Sequence, residues 1–340
     1  MHLFLQLTQL KYYLVRICFQ KVYFYFFLLC MIYFLVKGKK NNKISSLALS
    51  GSILGLAILT RPIAQYFILP VILIYFLIAN ETLLSKTKSV LIIFISCIIV
   101  VSPWVYRNYS KFGYAKISSS KDCNLLILTA NYTASRGQHI NPDTAIAYFV
   151  NRMVKLAPSE LKGKTPKNAS EIISTTDFKM SELYAKVANE YLKEHKKYLF
   201  IACVKGLINL HANMGTEAYM MRLHLPTIRW SIEEKTSLGP FDAAIKFFKT
   251  KSISEILIGL LIISFLGLVY LSFIVGILIL AFKKKYITVV ISILLIIGYF
   301  VAASCIYPTP RFRMPIMPFY ILLSSVGIDY LIKRWKYRMQ

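Results

Sequence analysis

Apolar runs recur along this chain from end to end, and the polar residues between them arrive in short basic clusters. Uncharged or nearly uncharged stretches cover Val22 to Val36, Ile44 to Leu59, Ile63 to Ala79, Val90 to Val105, Ile256 to Phe282, Tyr286 to Ile306 and Met314 to Ile332. A helix that crosses a bilayer needs roughly 20 residues. The first four runs are shorter, but flanking Tyr, Trp, Lys and Arg extend a span into the interface. The pattern predicts an all-α membrane protein, a bundle of six or seven transmembrane helices, with Val22 to Val36 as the segment that decides the number. N-terminal transmembrane helices are expected over 1–105, C-terminal ones over 253–340, and one large extracytoplasmic loop with an amphipathic interface helix over 106–252.

Lysines orient the array. Lys37, Lys39, Lys40 and Lys43, then Lys86 and Lys88, then Lys283 to Lys285, then Lys333, Arg334, Lys336 and Arg338 fall in alternate connections, which the positive-inside rule makes cytoplasmic. The remaining connections, Thr60 to Pro62, Tyr106 to Ser252 and Tyr307 to Arg313, then face the other compartment. Lys11, Arg16 and Lys21 disagree, because a span at Val22 to Val36 leaves them outside; either that segment only dips into the membrane or helices precede it.

Inside the long connection the periodicity changes. Ser118 to Thr133, with Leu125-Leu126-Ile127-Leu128, reads as an irregular loop or one short strand, and Arg136-Gly137 and Asn141-Pro142-Asp143 read as turns. Asn168 followed by Glu171 is a helix-start pattern, with Thr176 an equal candidate cap for the next helix. From Ser181, Leu183, Tyr184, Val187, Ala188, Tyr191 and Leu192 recur at helical spacing, with Glu182, Lys186, Glu190 and Glu194 opposite. That helix runs on into Tyr198 to Leu210, too short and too charged at Lys205 to cross, and expected to lie in the membrane interface.

Composition sharpens this picture little. Of 340 residues 56% are hydrophobic, so the formal net charge of +26 is spread over membrane flanks rather than gathered on a nucleic-acid-binding module. Anionic membrane lipids are the partner it suggests, and no nucleic acid. Of the cysteines only Cys123 and Cys203 are placed to meet in the loop, and without a C-x-x-C neither metal nor redox chemistry at thiols is expected. No signal-peptide cleavage site is evident. Asn108-Tyr-Ser, Asn131-Tyr-Thr and Asn168-Ala-Ser are glycosylation sequons that such an Asn-rich chain produces by coincidence.

The candidate chemistry lies with arginine. Arg61 before Pro62, Arg107 in Pro103-Trp104-Val105-Tyr106-Arg107-Asn108-Tyr109, and Arg311 and Arg313 between Pro308 and Pro315 all fall at ends of apolar segments on the predicted non-cytoplasmic face. One guanidinium there is ordinarily an interfacial anchor. The set suggests instead a phosphate held by planar, permanently charged forks, with the Tyr307 hydroxyl as a further contact. At about 4 Å and an effective dielectric near 20 each such contact is of order 4 kcal/mol before desolvation. His211, Glu217 and His224 match no metal-ligand spacing, so no metal is expected, nor any cofactor. No Asp or Glu precedes Glu81; a base on the outer face is limited to Glu255 or loop residues such as Asp122, Asp143 and Asp177, which read as solvated.

The run Gly51 to Pro62, the run Pro103 to Gly113 and the run Pro310 to Phe319 resemble, in order and spacing, the integral membrane glycosyltransferases of the GT-C fold. Among these the chain is most similar to family 39, the protein mannosyltransferase and aminoarabinose transferase kind, from about Lys21 to the C-terminus. The resemblance implies a multi-pass protein of a bacterial cytoplasmic membrane that takes a sugar from a polyprenyl-phosphate donor and passes it to a lipid or protein acceptor. It implies also that Arg61, Arg107, Arg311 and Arg313 lie along the donor cavity and neutralise the leaving phosphate. In the family an acidic base precedes the point at which this chain begins, so a chain lacking that N-terminal catalytic part is expected. The alternative is a non-catalytic protein that binds or translocates polyprenyl lipids.

Overall fold

The computed structural model describes residues 2–174, 177–216, 220, 240–305 and 312–339, with the backbone alone over 2–21. Among them the regular structure is helical and no strand occurs. Among the described residues each apolar run is largely helical. The first four fall in α1 (His2–Asn41), α2 (Ile44–Thr60), a 3-10 turn (Pro62–Phe67) followed by α3 (Ile68–Ile78), and α4 (Leu83–Phe112). The long connection holds α5 (Ser120–Asn124), α6 (Pro142–Leu156), α7 (Ala169–Ser174), α8 (Phe178–Glu194), α9 (Lys196–Ala212) and α10 (Pro240–Thr250). The last three runs correspond to α11 (Ile253–Phe282), α12 (Ile287–Ser304) and α13 (Met317–Met339). Val22–Asn41, Leu83–Phe112, Ile253–Phe282 and Ile287–Ser304 are long and apolar enough to cross a membrane. The chain is an all-α membrane protein.

Two compact units divide it, residues 1–118 and 119–340. In the first, α2 packs between α1 and α4. Ser50 Oγ donates to the Met31 carbonyl at 3.0 Å, which satisfies a hydroxyl that lipid cannot. Against α4 the contacts are made by glycines. A Cβ on Gly51 would strike the Ile93 carbonyl, and one on Gly55 would sit 3.0 Å from the Cys97 carbonyl. Small residues let helix backbones approach closely where no hydrophobic force separates protein from lipid. α4 also contains Pro103, whose missing N–H leaves the Ile99 carbonyl without its helical donor. Ser102 Oγ fills that place at 3.2 Å.

The second unit has a water-type core in its connecting region. α8 buries Leu183, Tyr184, Val187, Ala188, Tyr191 and Leu192, the face its spacing predicts, against Leu126, Ala130, Phe149, Met153 and Ile172. The stretch expected as a loop or strand is instead α5 followed by π-helical turns at Leu125–Ala130 and Thr133–Gly137. Leu126, Ala130 and Ala134, four apart, all point into the core, a helical spacing that the unbroken apolar run around them hides. Asn168 caps α7 as the pattern predicts, its Oδ1 accepting from Glu171 N at 2.9 Å, while Glu171 Oε2 reaches back past the cap to accept from Lys167 N at 2.8 Å. Thr176 lies outside the described residues, and Asp177 caps α8 by accepting from Lys179 N at 2.8 Å.

The helix predicted to run unbroken from Ser181 to Leu210 breaks at His195, whose backbone (φ −118°, ψ 34°) leaves the helical region. Beyond the break, α9 buries Ala202, Gly206 and Leu210 and exposes Phe200, Val204 and Ile208 in a stripe. That apolar stripe suits an interfacial helix. Farther on, α11 and α13 cross backbone to backbone: a Cβ on Gly276 would strike the Leu323 carbonyl and one on Gly327 the Ser272 carbonyl. Asp329 and Lys333 form the expected ion pair at 2.8 Å, exposed to solvent.

Candidate functional site

The α2–α4 pairing fixes where Arg61 and Arg107 stand. Gly51 meets Ile93 and Gly55 meets Cys97, a constant offset of 42 residues (93 − 51 and 97 − 55), so the two helices run parallel in register. Carried forward, that offset sets Arg61 level with Pro103, four residues short of Arg107. At 1.5 Å rise per residue the two are separated along the axis by about 6 Å. Both therefore occupy the same end of one helix pair.

Each guanidinium is held against a ring. Arg61, half-buried behind the extended backbone before Pro62, has its charge centre 5.7 Å from the Phe24 ring of α1. Arg107 is exposed and lies 4.7 Å over Trp104, one turn earlier on α4. Asn108 is the hinge of the arrangement. Its Oδ1 accepts from Arg107 Nη1 at 3.0 Å, while its Nδ2 donates to the Lys116 carbonyl at 2.8 Å and the Ile117 carbonyl at 3.3 Å. Trp104 Nε1 donates to the same Ile117 carbonyl at 3.0 Å. The chain can fold back to reach them because Gly113 ends α4 at φ 76°, a left-handed cap. Trp104 and Asn108, four apart on one face, thus clamp the returning segment and aim Arg107. Asn108 is 97% buried, as a sequence reading of it as a glycan acceptor does not anticipate.

The second unit treats its arginine differently. Arg313 is 6% exposed, and its Nη1 and Nη2 donate to the carbonyls of His211 at 2.7 Å and Asn213 at 2.9 Å. A helix end leaves such carbonyls without intrahelical donors, and a cation is the favoured cap there. His211 itself faces the Leu207 carbonyl through Nδ1 at 2.9 Å and the Tyr320 hydroxyl through Nε2 at 3.0 Å. With Nδ1 as donor, Nε2 accepts from Tyr320. Both ring nitrogens are engaged. Glu217 and His224, which with His211 make up the candidate metal trio, and Tyr307 and Arg311 all lie outside the described residues. Among the described residues no group of His, Cys, Asp or Glu is arranged to hold a metal.

The carboxylates sort by environment. Asp143 is exposed in the first turn of α6, and Asp177 is an exposed cap. Asp122, by contrast with the solvated reading, is buried, and so is Glu255. Ser181 Oγ donates to Asp122 Oδ2 at 3.2 Å, and Glu255 pairs with buried Lys251 at 3.1 Å. One cavity of about 340 Å³ opens in the connecting region, lined by Gln138, Thr144, Tyr148, Phe149, Tyr191 and His195. Burial, with the Tyr148 phenol beside it, pushes the Tyr191 hydroxyl up to about 12.

Residues 2–106 match the family model described as dolichyl-phosphate-mannose-protein mannosyltransferase. The match takes in the first twenty residues, which the motif resemblance does not reach, and covers Arg61 and Trp104 before stopping one residue short of Arg107. No curated protein and no solved structure matches the chain. Together the apolar helices and this match point to an integral membrane protein.

Proposed function

We propose that this chain is a membrane glycosyltransferase that moves a sugar from a polyprenyl-phosphate donor to a lipid or protein acceptor on the extracytoplasmic face. The observation that carries the reading is the level pairing of Arg61 and Arg107 at one end of the α2–α4 pair, within about 6 Å along the axis. When a glycosidic bond to a phosphate breaks, negative charge grows on the departing oxygen, and fixed cations held against aromatic faces stabilise it without reorganising. Asn108 and Trp104 supply the fixing for Arg107. Tyr307, Arg311 and Arg313 of the second unit are further donor-phosphate residues in this proposal.

The test is binding of a radiolabelled polyprenyl phosphate to the purified protein in micelles, with sugar transfer measured in parallel. A charge-assisted hydrogen bond contributes about 1.5–3 kcal/mol, so Arg61→Ala, Arg107→Ala and Arg311→Ala should each weaken binding on the order of 10- to 100-fold. Lys284→Ala, in the exposed basic turn before α12, should change it less than about twofold. Equal losses across these variants, or none, reject the anion site. Intact binding without transfer to any acceptor assigns the chain to lipid binding instead.

A further inference from the structure

Two backbone irregularities meet at the cavity of the connecting region. The π-helical turn Thr133–Gly137 ends on Gln138, whose backbone N–H returns to the Ala134 carbonyl at 3.1 Å, and α8 breaks at His195 before α9 begins. Turns of this π type recur at functional sites. Gln138 and His195 both line the cavity of about 340 Å³, with Thr144, Tyr148 and Phe149 of α6 and Tyr191 of α8. Tyr191 organises them. Its hydroxyl donates to Gln138 Oε1 at 2.7 Å, and its carbonyl accepts from His195 Nδ1 at 2.8 Å, with the imidazole stacked on the phenol ring at 4.2 Å and 22°. Phe149 meets the same ring edge-on at 5.1 Å.

These contacts fix what the polar groups can offer. With Oε1 engaged by the phenol, the Gln138 amide retains its Nε2 donors, and with Nδ1 as donor to the carbonyl, His195 retains Nε2 as an acceptor. A hydroxyl answers both, since it accepts one hydrogen bond and donates another. Among the described residues no Lys, Arg, Asp or Glu side chain lines the cavity, so nothing there compensates a phosphate, carboxylate or ammonium brought out of water. The rest of the wall is apolar and aromatic, and Tyr148, 49% exposed and 5.9 Å from the Tyr191 ring, is its accessible ring. We propose that this cavity binds a neutral sugar ring, whose C–H face lies on Tyr148 and whose hydroxyls engage Gln138, His195 and Thr144. The volume stands near the lower end of the range for small-ligand sites, which suits a sugar unit and not a lipid with its chains. The ring is either the sugar that the donor carries or one already on the acceptor, an assignment that rests on the proposed transfer reaction.

The experiment is saturation-transfer NMR on the purified full chain, in micelles of a detergent without a sugar headgroup. Methyl α-mannopyranoside and methyl β-glucopyranoside are the neutral sugar probes, and N-acetyltyrosinamide is the aromatic one. At least one glycoside should receive saturation at its ring C–H protons. Its affinity should fall about fivefold, the value of one neutral hydrogen bond, in His195→Phe, which keeps a ring stacked on Tyr191, and by at least as much in Tyr148→Ala. Tyr148→Phe, which keeps the aromatic face, should retain binding. Saturation of neither glycoside in wild type, affinities unchanged in both Tyr148→Ala and His195→Phe, or tighter binding of N-acetyltyrosinamide overturns the sugar site. Polyprenyl-phosphate binding on the same samples separates this failure from that of the proposed function. A protein that binds the phosphate but no glycoside loses the sugar site alone, whereas one that binds glycoside but no phosphate keeps the sugar site and loses the transfer reaction. A labelled donor then distinguishes the two sources: a glycoside that gains the labelled sugar stands in the acceptor's place, and one that only competes with the donor stands in the donor's.

Discussion

Removing the carboxylate of Glu255 should unfold the second unit more readily than any exposed charge change can. Lys251 Nζ lies 3.1 Å from Glu255 Oε1, with the two side chains 2% and 0% exposed, at the entry to α11. Thr216 Oγ1 donates to the same oxygen at 3.3 Å, and the Glu255 backbone N–H donates to Ser252 Oγ at 3.3 Å, capping the helix. At 3.1 Å and an effective dielectric near 20 the attraction is about 5 kcal/mol, much of it offset by desolvation. Breaking the pair from one side leaves the other charge buried and uncompensated, at a cost of about 3–5 kcal/mol. Glu255→Gln and Lys251→Met should therefore each lose about that much in detergent-titrated unfolding of the purified protein. The double variant Lys251→Met with Glu255→Leu should return to within about 1–2 kcal/mol of wild type, because a packed apolar pair carries no desolvation penalty. Losses below about 1 kcal/mol for the single variants, the range of solvated pairs, would refute the buried geometry.

Gly276→Ala and Gly327→Ala should each destabilise the α11–α13 crossing by about 1–3 kcal/mol, since the added methyl lands on a carbonyl of the facing helix. Gly267→Ala and Gly298→Ala, with nothing within 4 Å, should be neutral or slightly stabilising in the same detergent-titrated unfolding assay; a reversed order would refute the close crossing. Tyr191, raised to about 12 by burial and by Tyr148, keeps its proton in the fold after the unfolded chain loses it near 10. Its contribution is complete below about pH 10 and disappears as pH climbs toward 12, so stability should fall across that window. In Tyr191→Phe the fall should flatten; an unchanged slope would assign it to other groups.

Much of the architecture is legible in the residue order because lipid punishes every polar interruption. The seven apolar runs, the helix start at Asn168 and Glu171, and the buried face of α8 all emerge from patterns spanning a few turns. The features that escape depend on distant partners or on a missing period. Leu125 to Leu128 carries no periodicity, so its π-helical form emerges only once Leu126, Ala130 and Ala134 share a core. His211 offers no local signal for Tyr320, 109 residues away. At the candidate site the arginines stand out as charges at the ends of apolar runs, but Asn108 reads merely as a sequon. Its service to both Arg107 and the Lys116–Ile117 backbone needs the left-handed turn at Gly113 to bring that segment back.

The glycines on α2 act as an index as well as a space. Because Gly51 and Gly55 seat against Ile93 and Cys97, sliding α2 by one turn along α4 would drive Leu47 or Leu59 into one of those carbonyls. Such a slip would shift Arg61 against Arg107 by about 5.4 Å, farther than the width of a phosphate group. The separation of the two charges is thus set about two to three turns deeper in the membrane than the charges themselves, where a methyl group on a glycine would be felt at the surface as a mistuned gap.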